Sequence, residues 1–458
     1  MSKSYQRLER FALPTVVVAL VGLLGGAGSV LADLDNDGLD DLFVFSVEID
    51  GLERGPWYQV WKSNNTLLTG AFILNGFTDF QFFAADVVAG GGDEQVVGAY
   101  RLSDGSYALQ ARNAAGAVVA SSFLTGPGFT RHQIFPVELA AFAGTEVGVG
   151  FVRDTDQVAF YQVWRRSGAS FVLIQGVAIL GPGFTNHFFG AGDFDADGTD
   201  EIFLGADRRT DGAALFKIYS AAAGTVMQAR YVTGPGFRDH RWVLANFWPD
   251  TTNPGTELVH GFRRRSDGAG AFQVWDELDT TPLTSQFIDG GGFSEHDWRP
   301  LDTASDANQE LFVGFRRDSD HTHAFKVYAP NVSPVPVTSV FVTGPDLSLT
   351  DWAVGDFDGN SANGQEVAAV FQRESDANVG YVVRFNTGAV HSSRFVLGTG
   401  FIGPRVKPVR AFVATRDDLQ ILAQSQAGNA PALQVWQAGA ATPGFSRFVL
   451  NSDILPRP

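Results

Sequence analysis

Thr125-Gly126-Pro127-Gly128-Phe129 and Thr233-Gly234-Pro235-Gly236-Phe237 are the same five residues, and Gly181-Pro182-Gly183-Phe184 repeats four of them. Gly290–Phe293 and Thr343–Leu347 are relatives of the phrase, and a histidine follows it at His132, His187, His240 and His296. A second phrase, Gly-Phe-Arg-Arg before an Asp-containing turn, stands at Gly261–Arg264 and Gly314–Arg317, with a variant at Gly205–Arg209. A third, Gln-Val-Trp or Lys-Val-Tyr, stands at Gln59–Trp61, Gln162–Trp164, Lys217–Tyr219, Gln273–Trp275, Lys326–Tyr328 and Gln434–Trp436. The phrases recur in one order, so the chain is a tandem array. Strand-like anchors at Leu42, Gln95, Val147, Ile202, Leu258, Leu311, Val367 and Ile421 mark eight units roughly 52 to 56 residues apart.

Repeat five reads most clearly. Trp242–Phe247 is a first strand, and Glu257–Arg264 a second with alternating Leu258, His260 and Phe262. Ser266-Asp267-Gly268 is a turn, Ala271–Trp275 a third strand and Ser285–Ile288 a fourth. Four short strands per unit, with recurring glycine and aromatic markers and no sustained helical period, predict an all-β fold: a β-propeller of about eight four-stranded blades. Seven is the alternative if the first or last repeat is too degenerate to form. The histidines precede strand one on this reading, near the channel mouth. A hydrogen bond fixing each blade junction is preferred there to a shared metal site, since the imidazoles sit on separate blades.

Composition narrows the function. At 45% hydrophobic and 18% charged residues the chain has a core to bury and is not disordered. A net charge of −17 argues against a nucleic-acid partner, which needs an excess of Lys and Arg. The absence of cysteine removes disulfides and thiolate metal sites. Lys3, Arg7 and Arg10 precede an apolar run from Phe11 to Leu24 and the small residues Gly25–Ser29. That order is a secretory signal peptide over residues 1–29, leaving 30–458 as one propeller in a secreted, periplasmic or cell-surface protein. If uncut, the segment is the protein's one link to a membrane.

Between strands one and two, repeat one reads Asp33-Leu-Asp35-Asn-Asp37-Gly38-Leu39-Asp40-Asp41, and repeat four reads Asp193-Phe-Asp195-Ala-Asp197-Gly198-Thr199-Asp200-Glu201. Carboxylates at positions one, three, five and nine, with the carbonyl of position seven, make a cage of hard oxygens suited to Ca²⁺. The expected ligands are Asp33, Asp35, Asp37, Leu39 and Asp41, then Asp193, Asp195, Asp197, Thr199 and Glu201. Repeat seven keeps Asp356, Asp358, Asn360 and Glu366 with two extra residues, a third candidate. Repeats five (Asn246, Asp250, Glu257) and six (Asp302, Asp306, Asn308, Glu310) are decayed, and two, three and eight read as lacking the set. An EF-hand would carry Glu at position twelve between helices; here position twelve is Val44 or Leu204, inside a strand.

The loop Asp-x-Asp-x-Asp-Gly-x-x-Asp/Glu ahead of a strand resembles the FG-GAP repeat of integrin α-subunit propellers and the related bacterial VCBS repeats. The resemblance implies a propeller with Ca²⁺ in loops on one face and ligands at the opposite face or at blade junctions. Integrin propellers usually have seven blades, and eight units are counted here.

Arg153, Arg208, Arg209, Arg263, Arg264, Arg265, Arg316 and Arg317 crowd the strand-two ends. They read as blade-to-blade ion pairs with nearby Asp, or as repeated pockets for acidic or hydroxylated sugars. Trp61, Trp164, Trp275 and Trp436 read as packing between blades. No nucleophile elbow, HExxH, Walker or Rossmann pattern occurs. The function expected is an exported calcium-binding module for binding or adhesion, with an extracellular glycan or protein as ligand. The alternatives are a cell-surface scaffold and a polysaccharide-active enzyme with a channel-mouth site. Mass spectrometry of the exported protein should find its N-terminus near Ala27 or Ser29; an intact residue 1 would mean an anchor instead.

Overall fold

The computed structural model describes residues 33, 39, 42–46, 57–62, 67–72, 76–90, 92–247, 255–276, 280–303, 308–329, 335–410, 415–425 and 431–448. The signal-peptide segment 1–29, the expected first strand at 30–32, and Asp35, Asp37 and Asp41 lie outside them. The described residues form eight antiparallel sheets, one per repeat. Seven have four strands in sequential order. The first shows three, Leu42–Ser46, Trp57–Trp61 and Leu67–Phe72, in the places of strands two to four.

The first strands of blades two to eight are Phe77–Ala85, Phe129–Val137, Phe184–Gly192, Phe237–Ala245, Phe293–Leu301, Leu347–Gly355 and Phe401–Val409. They lie side by side in chain order, so they are the inner strands of a propeller, and the fourth strands form its outer wall. In blade five the other strands are Glu257–Arg264, Gly270–Trp275 and Thr284–Phe287, within a residue of the sequence reading.

The inner strands start earlier than expected. Trp242 was read as the first strand residue of blade five, yet the strand begins at Phe237, inside the Gly-Pro-Gly-Phe phrase. A β-bulge explains the difference. The register slips between Arg238 and Arg241, and Asp239 sits at φ 56°. Asp79, Arg131, Asn186 and Glu295 hold the same left-handed conformation at the same place in their blades, φ 51–55°. Such residues cost about 1–3 kcal/mol each, which strand pairing on both sides of the bulge offsets. The turn-like sequence therefore belongs to the strand, and the histidines lie within strand one rather than ahead of it.

Packing is between blades. Each apolar cluster draws on two neighbours: Phe135, Val152 and Tyr161 of blade three meet Phe189, Leu204 and Tyr219 of blade four, for example. The glycine of the Gly-Phe-Arg-Arg phrase has its explanation here. A Cβ on Gly150, Gly205, Gly261 or Gly314 would meet Phe189, Trp242, Trp298 or Trp352 at 2.1–2.5 Å, and each ring comes from the inner strand of the next blade. An aromatic knob thus seats on a glycine across four consecutive junctions. Burying a ring as fully as Phe189, 1% exposed, contributes about 1.5–3 kcal/mol. Trp275 and Trp436 pack between blades as expected, against Phe216 and Tyr381.

Gly261→Ala should cost about 1–3 kcal/mol of stability, because the knob must leave its seat. Gly234→Ala, with nothing within 4 Å of its Cβ, should stay within about 0.5 kcal/mol of the parent. Urea unfolding of the two variants checks this; equal effects would sink the knob-on-glycine account.

Candidate functional site

The loop between strands one and two performs the same structural task in every described blade. The N–H of position eight donates to the carbonyl of position one in the preceding blade. The pairs are Asp93 to Asp33, Thr145 to Asp86, Asp200 to Glu138, Thr256 to Asp193, Gln309 to Asn246, Gln365 to Asp302 and Asp417 to Asp356, at 2.6–3.1 Å. Position nine, which opens strand two, is acidic throughout: Glu94, Glu146, Glu201, Glu257, Glu310, Glu366 and Asp418 are all buried. Five of the glutamates accept the N–H of position two: Leu139 on Glu146, Phe194 on Glu201, Phe247 on Glu257, Thr303 on Glu310 and Phe357 on Glu366. Repeats two, three and eight therefore keep the position-nine carboxylate, and repeats two and three also keep an acid at position one, Asp86 and Glu138. The signal was present as an acid immediately before each strand-two anchor.

Among the described residues, two loops bring acids together. Carboxylate oxygens of Asp193, Asp195 and Asp197 lie within 4.8 Å of one another, as do those of Asp356, Asp358 and Glu366. The first loop is braced from within: Asp197 and Gly198 N–H donate to the two oxygens of Asp193, and Thr199 N–H to Asp197, at 2.8–3.0 Å. Gly198 makes the turn at φ 83°. Glu201 lies outside the convergent trio, buried and bonded to Phe194 N–H. In blade seven the lengthened loop makes a three-residue 3₁₀ turn, Ser361–Asn363, from which Asn363 donates to Asp358. Asn360 bonds Asp358 through its backbone N–H. Glu366 Oε1 is buried without a hydrogen-bond donor. Of the ligands expected in repeat one, Asp33 and Leu39 are among the described residues.

The electrostatics of these loops favour a cation. Burial, reinforced by the charges of Asp197 and Asp193, pushes the Asp195 carboxyl up. Burial also pushes Glu201 and Glu366 up to about 8, with the neighbouring aspartates adding to it. A hard divalent ion would relieve this repulsion and supply the partner that Glu366 Oε1 lacks. In blades two and three, which lack acids at positions three and five, burial pushes Glu94 and Glu146 up to about 7, with Asp86 and Glu138 adding to it, while Arg166 pulls Glu94 down and Arg165 pulls Glu146 down.

The histidines are buried at blade junctions, not gathered at a channel mouth. His132 meets Tyr100 Oη (2.7 Å) and Thr125 Oγ1 (2.9 Å) of the preceding blade and stacks on Tyr107. His240 bonds Gly212 O of blade four and His260 of its own blade, and His296 bonds Asp289 of blade five at 2.7 Å. His187 has no hydrogen-bond partner on either ring nitrogen. Burial lowers His132 to about 3 and His187 to about 4, the latter helped by Arg131 and Arg209, so both are neutral at pH 7.

The arginines correct the sequence reading. Arg101, Arg153, Arg208, Arg264, Arg317 and Arg373 pair with the Asp three residues on, within their own turn rather than across blades. Each pair is bidentate, with Nε to Oδ1 at 2.8–3.0 Å. The Oδ1 atoms also accept the N–H two residues further on, as at Val158 and Ala213, which fixes the turn. Interblade contacts come from Arg263, which donates to Phe293 O, and from Arg299 on the inner strand of blade six, which joins Asp297 to Asp351 of the next blade.

In comparison with known proteins, no family model matches the chain and no curated protein matches it in sequence. Solved structures do match, and they are similar in fold. The exotype rhamnogalacturonan lyase YesX aligns over 94% of this chain and 75% of its own, at 12% identity and TM-score 0.52. Sqt1 of Saccharomyces cerevisiae aligns over 93% of this chain and 98% of its own, at 10% identity and TM-score 0.51. The Dos1 propeller aligns over 87% and 88%, at 8% identity and TM-score 0.47. The chain is an all-β propeller; at these identities the likeness extends to the fold and no further.

Glu146→Gln tests the buried acid. Its carboxyl is raised from 4.5 to about 7 in the fold, so the unfolded chain loses its proton first as pH rises. The stability this proton contributes is complete below pH 4.5 and lost as pH rises through 7. The glutamine variant should melt above the parent at pH 8 and show no gain at pH 4. Equal gains at both values would mean that charge is not the cause.

Proposed function

We propose that this chain is an exported, calcium-binding propeller of FG-GAP or VCBS type that works as a binding or adhesion module for an extracellular glycan or protein. The observation that carries the calcium part is the convergence of Asp193, Asp195 and Asp197 in a loop already braced by its own backbone donors. Asp356, Asp358 and Glu366 make a second such group, and the acids of repeat one add a third by sequence. The ion's task is structural. It neutralises carboxylates in the loop that ties each blade to the one before, so calcium and blade docking are coupled.

Near-equivalent blades support binding over catalysis. The junction bond, the buried acid, the bulge and the Arg–Asp turn recur from blade to blade. Repeated units acting together suit a repetitive ligand, whose avidity grows with each unit engaged.

One feature favours a second reading, an enzyme acting on an acidic polysaccharide. After the bulge, charges on the inner strands concentrate in blades five to eight, at Arg241, Asp297, Arg299, Asp351, Arg405 and Lys407. Burial lowers Lys407 to about 8, opposed by Asp351. The corresponding stretches of blades two to four carry Gln81, Phe83, Gln133, Phe135, Phe188 and Gly190. Cleavage of a uronate polymer that is lost in Asp351→Asn would establish that reading.

Calcium at 100 times its dissociation constant should add about 2.7 kcal/mol per site. The melting temperature should therefore rise in millimolar Ca²⁺ and fall back with chelator, and titration calorimetry should count two or three ions. Asp195→Asn with Asp197→Asn should remove one of them. A melting curve indifferent to both calcium and chelator would overturn the calcium assignment, and a glycan array in calcium tests the binding role.

A further inference from the structure

The outer wall of the propeller carries large rings that the fold does not bury. Phe123 (53% exposed), Tyr231 (51%), Phe287 (49%), Phe341 (49%) and Phe395 (46%) stand at the matching position of the fourth strand in blades two, four, five, six and seven. Exposed apolar groups scattered singly need no explanation, but a series in register around a ring does. Each ring is covered on one side by the turn arginine of its own blade, with the guanidinium carbon 4.4–4.9 Å from the ring centroid. That arginine is in turn held by its aspartate through Nε and Nη2, which leaves Nη1 outside the pair; Arg208 makes a further hydrogen bond to Tyr231 itself.

Blade three separates the role of the turn from the role of the exposed ring. There the outer-strand position is Ala178, and the ring has moved across the ladder to Phe160, directly opposite it. Phe160 still lies under Arg153, at 5.1 Å, and the Arg153–Asp156 pair is intact. It is half-buried against the neighbouring core cluster. The turn is therefore satisfied by a ring on either strand. Exposure on the outer strand is an additional property of the other five blades, and the turn does not require it.

We propose that these five positions are equivalent stacking sites for neutral sugar rings, arranged so that one polysaccharide engages several blades. The inference rests on the binding-module reading and names its ligand class and its surface. A pyranose has an apolar C–H face and a rim of hydroxyls. The exposed aromatic offers a flat apolar partner for the first. The Nη1 donors outside the pair and the aspartate oxygens beside it offer donors and acceptors for the second, already oriented by the bidentate pair. The arginine and aspartate charges cancel at each site, so an uncharged polymer meets no net charge there, although the chain as a whole carries −17. Tyr231, Phe287 and Phe341 are the best placed, on three consecutive blades. Phe123 and Phe395 share a side with Phe77 and Phe371 respectively.

The test is affinity electrophoresis of the full chain in calcium through soluble neutral polymers of glucose, mannose, galactose and xylose, with polygalacturonate alongside. A variant carrying Tyr231→Leu, Phe287→Leu and Phe341→Leu keeps an apolar cover over each arginine but removes the flat face. Phe160→Leu is the matched control. At least one neutral polymer should retard the parent, the triple variant should bind it about tenfold or more weakly, and Phe160→Leu should match the parent. Should the triple variant misfold by circular dichroism, Phe287→Tyr with Phe341→Tyr should preserve binding where Phe287→Leu with Phe341→Leu loses it. Undiminished binding by the leucine variants would overturn the rim sites while leaving the binding-module reading in place. Retardation by polygalacturonate alone would overturn the neutral-sugar assignment. No retardation by any polymer would overturn the rim sites and the glycan reading together, while the calcium titration would still stand on its own.

Discussion

A single backbone hydrogen bond, repeated at seven consecutive junctions, sets the geometry on which the rest of this propeller depends. It runs from position eight of one loop to the first carbonyl of the loop before. Among the described residues, inner strands of neighbouring blades are not paired by a backbone ladder, so their remaining polar groups need other partners. Side chains fill the gap. Gln133 bridges His187 O and Phe189 N of the next inner strand, and Asp351 accepts Val406 N. The staple and these bridges hold adjacent blades in register, while the aromatic knobs seated on glycine keep their faces in contact.

The buried acid at position nine is the cost of that arrangement. Its carboxylate organises the loop by accepting backbone N–H groups, but it does so out of water, where ionisation is penalised. The chain meets the cost in two ways. In blades four and seven it gathers aspartates beside the acid, in groups that could hold a cation. In blades two and three it brings Arg165 and Arg166 near the acid from the long third strand Ala159–Ser167. The same constraint, an acid that must stay, thus accounts both for the loops that gather further aspartates and for those that set arginine against it.

The opposite end of each blade follows different rules. The Arg–Asp turns are exposed and contribute local order more than stability. Freed from the core, this region can vary without disturbing the ring, as the exchange between Phe160 and Ala178 shows. The inner strands, the junction loops and the outer wall are therefore three separable surfaces on one repeated scaffold.

Much of this was legible in the residues. The order of the three phrases defined the blades, and alternation in repeat five placed its outer three strands within a residue. The loops at Asp193 and Asp356 were visible because ligand spacing is local. Other features were not legible. The bulge hid the start of each inner strand, since Phe237-Arg238-Asp239-His240 has the composition of a turn and only strand pairing on both sides makes it a strand. The arginines looked interblade because a sequence does not say which of many aspartates a guanidinium will meet. Sequence by itself determined the repeat, the blade and the local loop chemistry, all of which act over a few residues. Tertiary structure decided which glycine receives which ring, which acid is buried and which aromatics stay in water, because burial is a property of neighbours some fifty residues apart.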